Sequence, residues 1–304
     1  MPTSCTQYER DPVVTDSVDV WYPDGTIILQ AENLRFRVHK SILSKHSHVF
    51  RDLFSLAVPK GAPVMEGCSI LVIHDGKEST EHALKAFYYD HDCPMNICAV
   101  AALLEFGEKY DIEPLLEEAE SRLCLEFPST LDGWNKASES WSVIKEQDGI
   151  VELATNLIWR HNVSLALPIA MYACSLRPVV EIMDGRRYDS KLVLLSDPDL
   201  RARIVVGKDQ ISRAWSASQF SKWLESDSPH AGCATKSSCL KGRFAIYRAI
   251  WDDFSVHTAL DPWSEDWDRR LCARCVEVAQ DKYEHGRQEI WAKLPEIFKL
   301  PEDD

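Results

Sequence analysis

The 304-residue chain has no run of 18 apolar residues; its longest candidate, Val163 to Leu176, is too short to span a bilayer and contains Pro168. Met1 to Asp11 carries Glu9, Arg10 and Asp11 without an apolar core, so it does not read as a secretory signal. Glycine (12) and proline (15) are few and follow no period, which excludes a collagen-like chain. Basic charge is in deficit, with 34 Lys+Arg against 48 Asp+Glu and a formal net charge of −14. Only Arg186–Arg187 and Arg269–Arg270 are adjacent basic pairs. An acidic field repels phosphate backbones, so direct nucleic-acid binding is disfavoured. Catalytic signatures are missing too. Gly76-Lys77-Glu-Ser-Thr80 lacks the glycine spacing of a phosphate loop, and neither a Gly-x-Ser-x-Gly elbow nor a His-Glu-x-x-His pair occurs. Asp197-Pro-Asp199 reads as a turn and a helix start rather than a catalytic carboxylate pair.

At 45% hydrophobic residues, a chain of this length buries roughly three-quarters of its unfolded surface and reads as about two domains. Residues 1–127 hold 11 basic and 21 acidic residues, so most of the net negative charge lies there. Tryptophan is distributed the opposite way. Trp21 stands alone in the first part, while the other nine of the ten fall after residue 128. Rings that large are core material, so the second part is expected to fold.

Asp24–Gly25 signals a turn before the β-rich Thr26–Gln30, and Leu34, Phe36 and Val38 alternate with Arg35 and Arg37. The short gap Ala31–Asn33 makes these two runs a hairpin. The period then changes: Phe50, Leu53, Phe54 and Ala57 share one helical face, with Ser47 as N-cap. Val58–Gly67 reads as a loop and Ile70–Ile73 as a strand. Helices follow, one capped by Ser79 or Thr80 and carrying Leu84, Phe87 and Tyr88. The next opens at Pro94 or Asn96 with Ile97, Val100, Ala101 and Leu104, and a third carries Ile112, Leu115, Leu116 and Ala119. Further on, Gly149–His161, Pro168–Leu176, Ile211–Glu225 and Gly242–Trp251 read as helices. Val193–Leu195 and Ile204–Val206 read as short strands or helix ends. The fold class is α+β, a small sheet with packed helices followed by a helical region.

Asp19–Val20, Phe36-Arg-Val-His39-Lys-Ser-Ile-Leu43 and Ser47-x-x-Phe50-x-x-x-Phe54 resemble the opening of a BTB/POZ domain, and the order of the following elements is similar. The resemblance covers residues 15–127, leaving 1–14 as a flexible N-terminus and 128–304 as a helical, Trp-rich C-terminal domain. It implies a protein-interaction module that forms homodimers or heterodimers with other BTB proteins and recruits cullin ubiquitin ligases, and it is not an enzyme fold. By the same resemblance Asp19, His39, Ser47, Phe50 and Phe54 belong to the domain's core or interface, with His39 hydrogen-bonded near Asp19. His46 and His48 read as solvated. Val64-Met65-Glu66 matches the hydrophobic-x-Glu triplet that several cullin-binding adaptors carry in this loop, although such triplets are common by chance. Pro168–Leu176 and the ending Leu271-Cys-Ala-Arg-Cys275 through Phe298 are similar to BTB proteins abundant in mushroom-forming (basidiomycete) fungi. No kelch-like repeat or zinc-finger array accompanies the domain.

Ten cysteines in a chain expected to be intracellular, cytoplasmic or nuclear, point to buried thiols or metal ligands rather than disulfides. Cys233-x5-Cys239 lies in a polar, Ser-rich stretch, and Cys272-x2-Cys275 follows. Two readings stand. The four hold a structural zinc, with His230 or His257 as substitute ligands; or Cys272, Cys275 and Ala279 simply line a buried helix face. The functional expectation is non-catalytic self-association and scaffolding, through the Phe50–Ala57 neighbourhood and the N-terminal strand. The alternatives are a cullin adaptor and a transcription cofactor tethered by partners.

Overall fold

The computed structural model describes residues 13–56, 61, 63–88, 93–137, 140–228, 230–252 and 259–301. The chain divides into two compact units. One runs to Arg122 and takes in Val143–Lys145; the other comprises Leu123–Ser142 and everything from Glu146 onward.

The first unit is built on a five-stranded sheet: β1 (Thr15–Trp21), β2 (Ile27–Ala31), β3 (Leu34–Val38), and, after α1 (Lys40–His46) and α2 (His48–Ser55), β4 (Val64–Met65) and β5 (Cys68–Ile73). The spatial order is β1-β3-β2-β5-β4. β2 and β3 form the expected antiparallel hairpin, with Leu29 opposite Phe36, while β1–β3 and β2–β5 are parallel. Helices α3 (Lys77–Lys85), α4 (Ile97–Tyr110) and α5 (Glu113–Glu126) complete the α+β layering. Ile28, Leu29, Phe36, Val38, Phe50, Leu84 and Leu103 are fully buried between sheet and helices. Gly107 on α4 is required by close approach, since a Cβ there would lie 2.7 Å from Leu116 Cδ2. The final strand-like contact comes from far along the chain. Met95 and Ile144 form a parallel bridge, with Met95 N–H donating to Val143 O and Lys145 N–H to Met95 O.

Three expectations for this unit change. The supposed Val58–Gly67 loop contains β4, whose residues pair with Ser69 and Cys68. α3 starts at Lys77 behind Gly76, not behind Ser79 or Thr80; the Thr80 hydroxyl instead donates back to Gly76 O at 2.9 Å. Of the predicted α2 face, Phe50 is buried but Leu53 is 37% exposed, and Ala57 lies outside the described residues.

The second unit contains α6 (Leu131–Ala137), α7 (Ile150–Arg160), α8 (Leu167–Ser175), α9 (Val179–Asp184), the hairpin β6 (Arg186–Tyr188) and β7 (Lys191–Val193), α10 (Pro198–Ala217), α11 (Gln219–Glu225), α12 (Lys236–Asp252), α13 (Glu265–Asp268) and α14 (Ala273–Ile297). α10 is central and packs on α8, α9, α11 and α14. Gly207 permits this, because a Cβ there would stand 2.2 Å from the Phe298 ring. The second core gathers aromatics. Phe220 meets Tyr283, Trp263, Trp267, Trp223 and Trp215 with ring centroids 5.0 to 6.3 Å apart. Ile204–Val206 is the middle of α10, where Ile204 is buried, so β-branched residues did not make a strand. The helix expected over Ile211–Glu225 is two helices. Ser218 adopts extended backbone between them and accepts from Ser221 N–H, ending α10 and capping α11. Among the described residues, no helix is long and apolar enough to cross a membrane.

Candidate functional site

The residues singled out in the sequence fall into two places, one in each unit. In the first, the sequence-predicted residues fall into separate contacts. Asp19 pairs with Lys85 at 2.6 Å. The carboxylate facing His39 is that of Asp24, 3.3 Å from Nε2, and the other ring nitrogen lies 3.1 Å from the Tyr88 hydroxyl. The His39 hydrogen bond is the main reason that the Asp24 carboxyl is held below its ordinary pKa. Tyr88 also stacks on Tyr22 at 4.1 Å, and burial raises its phenol. Sequence reading missed both Asp24 and Tyr88, because neither the turn Asp24–Gly25 nor the end of a helical stripe marks a partner for a histidine.

Ser47 does two jobs. Its Oγ accepts from Phe50 N–H at 2.9 Å as the N-cap of α2 and donates to Tyr110 O at 2.5 Å. Phe50 then stacks between Phe54 and Tyr110, with centroids at 5.6 and 4.5 Å. The buried half of α2 is thus bound to the end of α4. The other half faces solvent: Val49 and Leu53 are exposed, and Leu56 is 68% exposed. On the edge strand β1, Ser17 and Val20 point inward while Val18 is 97% exposed. Val64, on the opposite edge strand, is 63% exposed. Beside it, Glu66 occupies the left-handed region (φ 50) in the turn to Gly67 and pairs with Arg37 at 2.6 Å. Arg35 donates to Met65 Sδ at 3.4 Å. The triplet is therefore the end of the β4–β5 hairpin rather than an irregular loop.

In the second unit, Cys233, Cys239, Cys272 and Cys275 come together, their sulfur atoms all within 4.8 Å of one another. Three local structures place them. Cys233 lies in the α11–α12 connection, its N–H donating to His230 O. Cys239 sits in the first turn of α12, beside the Thr235 hydroxyl at 3.2 Å. Cys272 is the N-cap residue of α14, and Cys275 lies in its first turn. Cys233, Cys239 and Cys275 are buried, with Trp223 and Leu271 packed on them. Gly242 lets α12 approach this corner, since a Cβ there would strike the Arg270 carbonyl oxygen at 1.9 Å. Of the expected apolar stripe, Cys275 and Ala279 are buried on α14, whereas Cys272 is its half-buried N-cap residue, and the stripe does not account for Cys233 and Cys239. His230 turns its Nδ1 to the Gly232 N–H at 3.0 Å, and His257 lies outside the described residues.

The four thiols are not equivalent. The backbone N–H groups of Cys275, in the first turn of α14, and of Ala234, in the α11–α12 connection, lower the Cys272 thiol to about 6. Burial raises Cys233 and Cys275. Cys272 Sγ is 3.9 Å from Cys233 Sγ, and Cys272 N–H donates to Cys239 Sγ at 3.2 Å. Four sulfurs at about 2.3 Å from one zinc ion lie about 3.8 Å apart, so the spacing suits a tetrahedral metal. All nine described cysteines are free thiols. The Asp197 and Asp199 carboxylates have structural partners: Asp197 caps α10 and accepts from Trp159 Nε1 at 3.0 Å, and Asp199 pairs with Arg203.

Comparison with known proteins agrees with the first unit. The model of the BTB/POZ domain family matches residues 23–126. No curated protein and no solved structure matches the chain. BTB/POZ domains are typically non-catalytic interaction modules. Residues 23–126 are a BTB/POZ domain, and a mostly helical region with a four-cysteine cluster able to hold a metal ion follows it.

Proposed function

We propose that this protein is a non-catalytic scaffold that self-associates through its BTB/POZ domain and presents the helical C-terminal unit to partners. The observation carrying this reading is the exposed apolar set on β1 and α2, Val18, Val49, Leu53 and Leu56. Large side chains on a short helix and an edge strand are costly in water unless a partner covers them. With the N-terminal residues so acidic, two copies repel at long range, and salt screens that repulsion over about 8 to 10 Å. The dimer is therefore tighter at high salt. Light scattering at tens of micromolar is expected to return the mass of two chains, and Val18→Asp with Leu56→Asp the mass of one. A one-chain mass for the unaltered protein overturns the proposal.

A cullin-adaptor role is the second reading, supported by the exposed Val64 held on a hairpin that the Arg37–Glu66 ion pair stiffens. Co-purification of a cullin that disappears with Val64→Ala, Met65→Ala and Glu66→Ala supports it; unchanged co-purification removes the triplet from the contact.

We infer as well that Cys233, Cys239, Cys272 and Cys275 hold one structural zinc ion, which joins the α11–α12 connection to the start of α14. Four protein ligands leave no open position for catalysis. Metal analysis of the purified chain is expected to give about one zinc per molecule. Less than about 0.2, with thermal stability indifferent to chelator, overturns it, because a structural site contributes folding free energy directly.

A further inference from the structure

Arg243 is the least expected residue near the cysteines. It stands one helical turn beyond Cys239 on α12, so the two share a face. Its side chain is only 2% exposed. Nη1 donates to Ser228 O at 3.0 Å and Nη2 to Ser226 O, while the guanidinium lies 4.6 Å above the centre of the Trp223 ring. Trp223 is the ring packed against the cysteines. Nε is buried and has no hydrogen-bond partner among the described residues. Burial works against the guanidinium charge. The groups that favour it are Cys275 and Cys233 first, then Asp227 and Cys239. Asp227 is exposed, so water screens it.

Two carbonyl dipoles and an aromatic face are weak compensation for a desolvated cation. Thiols in their protonated form add no charge, and neither does a disulfide; Cys272, whose thiol is lowered to about 6, is not among the groups that favour the guanidinium. Four thiolates around a divalent ion carry a net charge of about −2, which is the anion the buried guanidinium otherwise lacks. We propose that Arg243 is the counter-charge of a tetrathiolate metal centre, a positioning residue that holds the sulfurs in their charged, metal-bound form. This rests on the zinc reading above. Arg243 ligates nothing; its field lowers the free energy of the loaded centre and makes the bound thiolates poorer nucleophiles.

The test uses the full chain with zinc alone as probe. Zinc affinity is measured by competition with a chromophoric chelator, and iodoacetamide alkylation is followed on the loaded protein. Arg243→Met keeps side-chain volume without charge, Arg243→Lys keeps charge with altered shape, and Asp227→Asn is the control. Arg243→Met is expected to weaken zinc binding by about 10- to 100-fold, the range for groups outside the ligand shell. Its loaded thiolates should alkylate several-fold faster. Arg243→Lys should recover most of both effects, and Asp227→Asn should change neither. If Arg243→Met does not fold, Arg243→Gln against Arg243→Lys gives the same contrast. Equal losses in the charged and uncharged variants, or no loss in either, overturn the role of Arg243 while zinc stands. Absence of zinc from the unaltered chain, with no sulfur-to-metal absorption on adding cobalt, overturns the metal reading itself.

Discussion

The two units solve the same problem with different materials. In the first, a sheet supplies a continuous apolar surface, and long-range polar ties such as Ser17 Oγ to Glu81 at 2.7 Å and Ser47 Oγ to Tyr110 O fix helices onto it. In the second, only the two-stranded β6–β7 hairpin is found among the described residues, and no large sheet organises the helices. Its α11–α14 corner is gathered at two compact points, the aromatic group around Phe220 and the four sulfurs, with Trp223 belonging to both. A sheet spreads stabilisation over many residues, whereas a cluster concentrates it in a few. Single substitutions should therefore hurt the second unit more, and each unit should report separately, because Trp21 is the only tryptophan before residue 123.

The sharpest break is expected from Cys275→Ser, or from chelation of the unaltered chain. Either should abolish the cooperative unfolding seen by tryptophan emission in the second unit and spare the proposed self-association of the BTB/POZ domain. Simultaneous loss of both would show that the units do not fold separately. Phe220→Ala removes the ring at the centre of five aromatic contacts among the described residues and is expected to cost about 3 to 5 kcal/mol, read by urea unfolding. Ser47→Ala tests the other unit. Losing the N-cap and the tie to Tyr110 should cost about 1 to 2 kcal/mol, with the tryptophan transition of the second unit unmoved.

Asp197→Ala is the smallest effect and depends on pH. Trp159 Nε1–H and the first N–H groups of α10 hold the Asp197 carboxyl below its ordinary 3.8. A carboxylate with a depressed folded pKa contributes fully above its unfolded value, and that contribution is lost as pH falls through the folded value. The variant should thus be less stable by about 1 kcal/mol at pH 7. The gap between the two proteins should close below about pH 4 in thermal melts. A gap that persists in acid would assign the effect to packing.

The first unit was legible because its local patterns and its tertiary burial agree. Leu34, Phe36 and Val38 alternate, Ser47 and Asn96 cap the helices they precede, and the hairpin forms where the gap is short. β1, the expected N-terminal strand, carries no alternating pattern of its own, because one inward residue is Ser17, whose buried hydroxyl is satisfied by Glu81, while the apolar Val18 points out. In the second unit, Ile204-Val-Val206 has strand-like side chains but lies within the central helix, where packing of Ile204 outweighs local preference. The break at Ser218 was missed because the apolar period runs on through Trp215, Phe220 and Leu224. Cysteine spacing alone left two readings open, since it does not say whether α12 and the start of α14 meet. Arg243 had one visible signal, its i, i+4 relation to Cys239, which means nothing until the cluster exists.

The bridge between Met95 and Ile144 puts a clock into synthesis. On an emerging chain, α5 is complete some distance before Val143–Lys145 appears, and those later residues supply the carbonyl that accepts from Arg122 Nη1 at 2.8 Å and both backbone partners of Met95. The BTB/POZ unit therefore closes only after the opening helix of the following unit, α6, has already been made. A chain cut after α5 lacks its own last staple, and the ribosome passes through that same incomplete state each time it makes this protein.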